Sequence, residues 1–162
     1  QPDADMPVPR LALSFFAGIR TAETFRIRWG DIKFASGDIR VESPKGVVGT
    51  PPRLVTMSAN LKAWLLRYQM DDALPIGYDE ERYCKRKAEV VQSIGVEWST
   101  AKNRNVARHT FASFHIAAHR DLAKTACELG HGESLSMLKA HYWGLVDSDE
   151  AKTYWAIMPK GE

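Results

Sequence analysis

The sequence predicts a mainly α protein carrying a small three-stranded antiparallel sheet. Two observations lead there. Three short strand-like pieces, 31–34, 38–41 and 53–57, are separated by turn-forming stretches: Ser36-Gly37, then a Gly/Pro-rich run over 44–52. On both sides of this meander, apolar residues recur at helical spacing behind residues that cap helices.

Residues 1–10, with three prolines and two aspartates, read as a loose leading segment. An apolar helix over 11–17 stops near Gly18, whose missing Cβ suits a helix C-terminus. Thr21 is placed to cap a second helix that sends Phe25 and Ile27 inward. After the meander, Ser58 caps a helix over 59–70 with Leu61, Leu65 and Leu66 on one face. Residues 74–78 link it to the next helix. There Asp79-Glu80-Glu81 suits the positive end of the helix dipole, a basic stretch covers 82–87, and Gly95 closes the element. Residues 105–118 form a helix whose buried stripe is Ala107, Phe111, Phe114 and Ala118. Asp121 opens a short helix to Leu129, Glu133 opens another to about Trp143, and Ser148 caps a last one through Trp155. No internal repeat or low-complexity tract interrupts this order.

At 162 residues the chain is expected to form a single domain over 1–162 with a proper core. A hydrophobic fraction of 44% and a charged fraction of 26% are ordinary for a soluble globular protein. No apolar run approaches the roughly 18 residues that a membrane span requires. No signal peptide is visible, and a chain starting at Gln1 without methionine is expected to be an excised fragment. Cys84 and Cys127 are too few for a disulfide framework and have no neighbour at zinc spacing, so a reducing cytoplasm is expected. The net charge of +2 and pI of about 8.6 do not by themselves point to nucleic acid. Basic residues do cluster locally, at Arg82, Lys85, Arg86 and Lys87 and at Lys102, Arg104 and Arg108. Charge runs are commonly solvated helix faces, so these count toward phosphate binding only beside other evidence.

That other evidence is a set of short motifs. Arg20 lies in Gly18-Ile19-Arg20-Thr21-Ala22-Glu23, and Arg108 in Asn105-Val106-Ala107-Arg108-His109-Thr110. Leu129-Gly130-His131 follows, and then Tyr142 between His141 and Trp143. Two guanidiniums, an imidazole and a phenol suit attack on a phosphodiester without a metal. Each residue alone has a plainer reading. Arg20 is equally a surface residue paired to Glu23, Arg108 a solvent-facing helix arginine, His131 a capping histidine, and Tyr142 part of an aromatic core. The i, i+3 spacing of Asn105 and Arg108 puts an amide and a guanidinium on one helix face. His115 and His119 have the i, i+4 spacing of a zinc pair, but Ile116 stands where a metalloprotease has glutamate, so a packed helix is the better reading. Tyr154, beside Trp155, reads as core or tail packing. Glu23 and Asp31 read as residues that orient the Arg20 turn.

In order and wording these motifs resemble the catalytic domain of the tyrosine recombinase (phage integrase) family, over nearly the whole chain. Residues 17–23, continuing through Ile27, Arg28, Trp29 and Asp31, resemble its first arginine box, and residues 107–113 its second. Leu129-Gly130-His131 and His141-Tyr142 are similar to the elements that follow, and residues 141–159 resemble a bacterial subgroup with a long tail after the tyrosine. The resemblance implies the tyrosine recombinase fold and site-specific cleavage and rejoining of double-stranded DNA. Arg20 and Arg108 would clamp the scissile phosphate, His131 would donate a hydrogen bond to it, and Tyr142 would attack phosphorus to give a 3′-phosphotyrosyl link. No cofactor is implied. Asn105 stands where the family usually has histidine; it can position a phosphate oxygen but cannot exchange a proton near neutral pH. Lys45, the sole lysine between Lys33 and Lys62, is the candidate general acid for the leaving 5′-oxygen, although its flanks differ from the family's basic hairpin. The resemblance also implies a tetramer on DNA and a missing N-terminal DNA-gripping domain. The C-terminal tail, 146–162, would pack on its own domain or reach a neighbouring protomer, with some exchange expected. Two alternatives remain at this stage: a degenerate domain that binds DNA without cutting it, and a type IB topoisomerase-like relaxase.

Overall fold

The computed structural model of the chain describes residues 7–42, 52–77, 79–96, 98, 105–130 and 134–160. It opens with α1 (Val8–Ala17), which starts three residues earlier than expected. Pro7 and Pro9 do not prevent this, because amides in a helix's first turn have no intrahelical partner to lose. Gly18 ends α1 in the left-handed region at φ 62°. The next helix, α2 (Thr21–Thr24), is only one turn long, and Arg20 rather than Thr21 is its N-cap. A 3-10 turn, Trp29–Asp31, then shortens the first strand to β1 (Ile32–Lys33). The Asp31 carboxylate accepts the Arg28 N–H at 2.9 Å. Asp31 therefore closes its own turn rather than the one that carries Arg20.

With β2 (Asp38–Val41) and β3 (Arg53–Thr56) the sheet is the expected antiparallel meander in the order β1-β2-β3. Ile32 pairs with Ile39 and Ile39 with Val55, so one sheet face is a continuous apolar patch. Gly37, at φ 79°, makes the first turn; the second, over 44–52, lies outside the described residues apart from Pro52. That patch packs with Leu13, Ile19, Ile27, Trp29, Leu61 and Leu65, all buried, as the main core. Helix α3 (Ala59–Leu66) ends four residues before expectation, and Leu66 is exposed rather than inward. The linker contributes more than expected, because Ile76 is fully buried and its amide donates to the Ile27 carbonyl at 3.0 Å.

The helical remainder consists of α4 (Glu80–Ser93), α5 (Val106–His119), α6 (Leu122–Leu129), α7 (Leu135–Tyr142) and α8 (Ser148–Trp155). Asp79 and Asp121 cap as their side chains suggest, accepting the amides of Arg82 and Lys124. Ser134, not Glu133, caps α7, and Asp147, not Ser148, caps α8. Phe111, Ile116, Ala126, Leu129 and Leu138 make a second core cluster among α5, α6 and α7. Ala118, expected in the buried stripe, is exposed. Helix α8 lies against α5 of its own chain: Tyr154 stacks on Phe114 with centroids 4.0 Å apart and 12° between planes. Trp155 meets Phe111 edge-on at 6.0 Å. Among the described residues, no helix is long and apolar enough to cross a membrane.

Candidate active site

Arg108 sits in the first turn of α5, and its guanidinium is built into the fold. One nitrogen, Nη1, donates to the Gly18 carbonyl at 2.6 Å, and Nη2 donates to the Leu129 carbonyl at 2.7 Å. These carbonyls end α1 and α6, where the helix dipole favours a cation. Both ends are closed by left-handed glycines, Gly18 at φ 62° and Gly130 at φ 65°. A Cβ on Gly18 would lie 2.5 Å from a ring carbon of Phe111, and one on Gly130 would lie 2.3 Å from Cδ of Arg53. Glycine at both positions thus lets two helix ends close on Arg108. The residue is buried as a result, contrary to the solvent-facing alternative.

Arg20 is held by a different device. Its backbone amide donates to Oε2 of Glu23 at 2.9 Å, and its Nη1 lies 3.3 Å from Oε1. Glu23 is buried and also receives both terminal nitrogens of Arg53, each at 2.9 Å, in a fork-to-fork pair. Burial pushes this carboxyl upward, but the Arg53 hydrogen bonds and charge, with Arg20's, overcome it and hold the pKa at about 2. Glu23 therefore orients the Arg20 turn as expected. Arg53 also donates through Nε to the Glu128 carbonyl at 3.4 Å, and the Glu128 carboxylate accepts the Thr56 amide at 2.8 Å. Sequence reasoning missed Arg53. Its one signal was strand alternation: Arg53 shares a sheet face with the buried Val55, and an inward arginine requires a carboxylate.

Arg20, Asn105 and Arg108 line one polar depression together with Tyr83, Lys87 and Trp98. Asn105 is exposed at the N-cap of α5 and makes no capping hydrogen bond with its side chain. Lys87 belongs to the basic stretch of α4, and its ammonium lies 5.0 Å from the Trp98 ring centroid and 5.9 Å from that of Tyr83. Tyr142 is the last residue of α7, half-buried against the second core cluster. Its hydroxyl is in hydrogen-bond contact with Nδ1 of His109, the residue after Arg108, and the two rings lie 5.8 Å apart at 28°. Lys45 and His131 lie outside the described residues.

The decoys resolve into packing. The Thr125 hydroxyl donates to the Asp121 carbonyl at 2.9 Å, so it accepts from His115 Nδ1 at 2.8 Å. Burial, then the positive fields of His119 and Lys124, hold His115 neutral, with its pKa near 3. Tyr154 is buried in the core, and that burial raises its phenol well above the usual range.

Solved structures share this architecture. The crystal structure of XerA recombinase matches with a TM-score of 0.62 at 21% identity, over 99% of this chain and 65% of that one. The Tn1549 transposon integrase in complex with circular intermediate DNA matches with a TM-score of 0.61 at 16% identity, over 90% of this chain and 57% of that one. The same integrase with transposon right end DNA gives 0.58 at 14% identity, over 90% and 56%. This chain has the tyrosine recombinase catalytic-domain fold, and it spans less than two thirds of the length of each of these three chains. No family model and no curated protein matches the sequence.

Proposed function

We propose that this chain is the catalytic domain of a site-specific DNA recombinase that cleaves and rejoins strands through Tyr142. One observation carries the reading: Arg20, Asn105 and Arg108, spread over most of the chain, line a single depression. Two guanidiniums converging on one surface suit the non-bridging oxygens of a phosphodiester and the charge that builds on them in a pentavalent transition state. The Tyr142 oxygen attacks phosphorus, the bond from phosphorus to the 5′-oxygen breaks, and a 3′-phosphotyrosyl ester remains. The ester keeps the bond energy, so the 5′-hydroxyl of a second strand reverses the step and joins a new partner without ATP. Asn105 and His131 hold phosphate oxygens, and Lys45 protonates the leaving 5′-oxygen.

Double-stranded DNA is the partner in this reading, and four copies assemble on it inside the cytoplasm. A nicked suicide duplex, carrying the recombination site mapped from DNA flanking the coding sequence, tests it. The expected result is a denaturant-resistant protein–DNA adduct that Tyr142→Phe abolishes. An adduct that survives in Tyr142→Phe puts the nucleophile elsewhere.

Asn105 favours a second reading, a domain that binds DNA without cutting, because the amide cannot exchange a proton where the family usually has histidine. Steeply salt-dependent binding with no adduct on the same duplex would support it.

A further inference from the structure

We propose that His109 is the general base that takes the phenolic proton of Tyr142. The inference rests on reading Tyr142 as the nucleophile, and it names the group that activates it. A phenol is a poor nucleophile near neutral pH until something accepts its proton. Asn105, one helical turn before His109, cannot do so. The Glu23 carboxylate already receives Arg53 at both oxygens and Arg20 besides, and this pairing holds it ionised. His109, by contrast, has Nδ1 against the Tyr142 hydroxyl, with the rings nearly parallel.

The placement follows from α5. The His109 amide donates to the Asn105 carbonyl at 2.9 Å, so His109 stacks one turn above Asn105 and directly after the anchored Arg108. Arg108 thus fixes the helix turn from which the imidazole reaches Tyr142. His109 is exposed, which lets a captured proton exchange with solvent. Other groups also face this pair: His141 lies on α7 with its ring 6.3 Å from that of Tyr142, and Arg108 precedes His109 on α5.

With hydrogen on Nε2, the Nδ1 lone pair accepts the phenolic O–H. As the Tyr142 oxygen bonds to phosphorus, its proton passes to Nδ1; the departing 5′-oxygen takes a proton from Lys45 or from water. In rejoining, the attacking 5′-hydroxyl gives up its proton by the reverse route, and the imidazolium returns one to the Tyr142 phenolate as it leaves phosphorus.

The test is single-turnover adduct formation on the same nicked duplex, with the parent protein, Tyr142→Phe, His109→Ala and His109→Gln. Loss of a general base slows a reaction about 100-fold or more. Both His109 variants are expected to show that loss, with the same melting temperature as the parent. Added free imidazole is expected to restore His109→Ala in proportion to its neutral fraction. A purely structural histidine would give no imidazole rescue, and glutamine would keep the rate. Adduct formation by His109→Ala within about threefold of the parent, far short of a general-base effect, overturns the assignment while leaving the nucleophile in place. No adduct from the parent removes the recombinase reading and this inference with it.

Discussion

Glu23 shows how a carboxylate near a candidate reaction centre can be a structural group. Its folded pKa of about 2 lies below the ordinary 4.5. As pH falls, the unfolded chain therefore binds this proton first. The stabilisation is complete above about pH 4.5, declines below it and is gone once pH falls past 2, and its size is of order 3 kcal/mol. His115 acts in the same direction: its folded pKa near 3 means that the unfolded chain takes up the proton first, between pH 6.5 and 3. Denaturant melts across pH should show stability falling below pH 6.5, and Glu23→Gln should remove the lower part of that slope. At neutral pH the same substitution leaves Arg53 partly uncompensated, a loss of about 3 kcal/mol or more. Half of this network was legible in the sequence. Arg20 and Glu23 are three residues apart on one turn, whereas the Arg53 partnership spans 30 residues and exists only once β3 has docked.

At the scale of elements, the sequence marks turns and glycine stops well, and N-caps and element ends less well. Gly18 and Gly95, read as helix stops, and Gly37, read as a turn, all adopt positive φ. Two of the misplaced ends trace to competing local hydrogen bonds. Asp31 closes a 3-10 turn and so leaves the expected first strand at its first residue, and Asp147 captures the amides of Asp149 and Glu150 one residue before Ser148 could serve. The glycines give a graded prediction. Gly37→Ala meets nothing within 4 Å and bears only the left-handed penalty, about 1 kcal/mol. Gly18→Ala adds a 2.5 Å clash with Phe111 and should cost about 2–4 kcal/mol in urea unfolding. Equal losses for the two variants would mean that the packing around Gly18 relaxes freely.

Across the whole molecule, the last helix is part of the core. Tyr154 and Ala151 are buried, and the Trp155 indole donates to the Phe114 carbonyl at 3.3 Å. A chain truncated after Asp147 would uncover Phe16 and Phe111, and it should bind a hydrophobic dye and lose cooperative melting. The sequence read this segment as a tail with two possible docking places. Its contacts with Phe16, Phe111 and Phe114 join residues far apart in the sequence, which helical spacing alone does not pair. The candidate site divides in the same way. Its arginines and tyrosine are legible as motifs, but the depression that Arg20 and Arg108 share, the Arg53 buttress and the Lys87 contacts depend on residues far apart in the chain.

The Arg108 guanidinium, shared between the carbonyls that end α1 and α6, ties its proposed phosphate-binding role to the stability of the fold. Lysine at this position keeps the charge but loses the planar fork that reaches both carbonyls. Arg108→Lys should therefore melt several degrees lower than the parent as well as fail to cleave, a pattern that calorimetry beside the adduct assay would separate. In the proposed recombinase, copies damaged here would be cleared by proteases instead of accumulating as inert competitors for a shared DNA site. On that reading the position would be self-policing: losing the proposed phosphate clamp would also remove the protein that blocks the site.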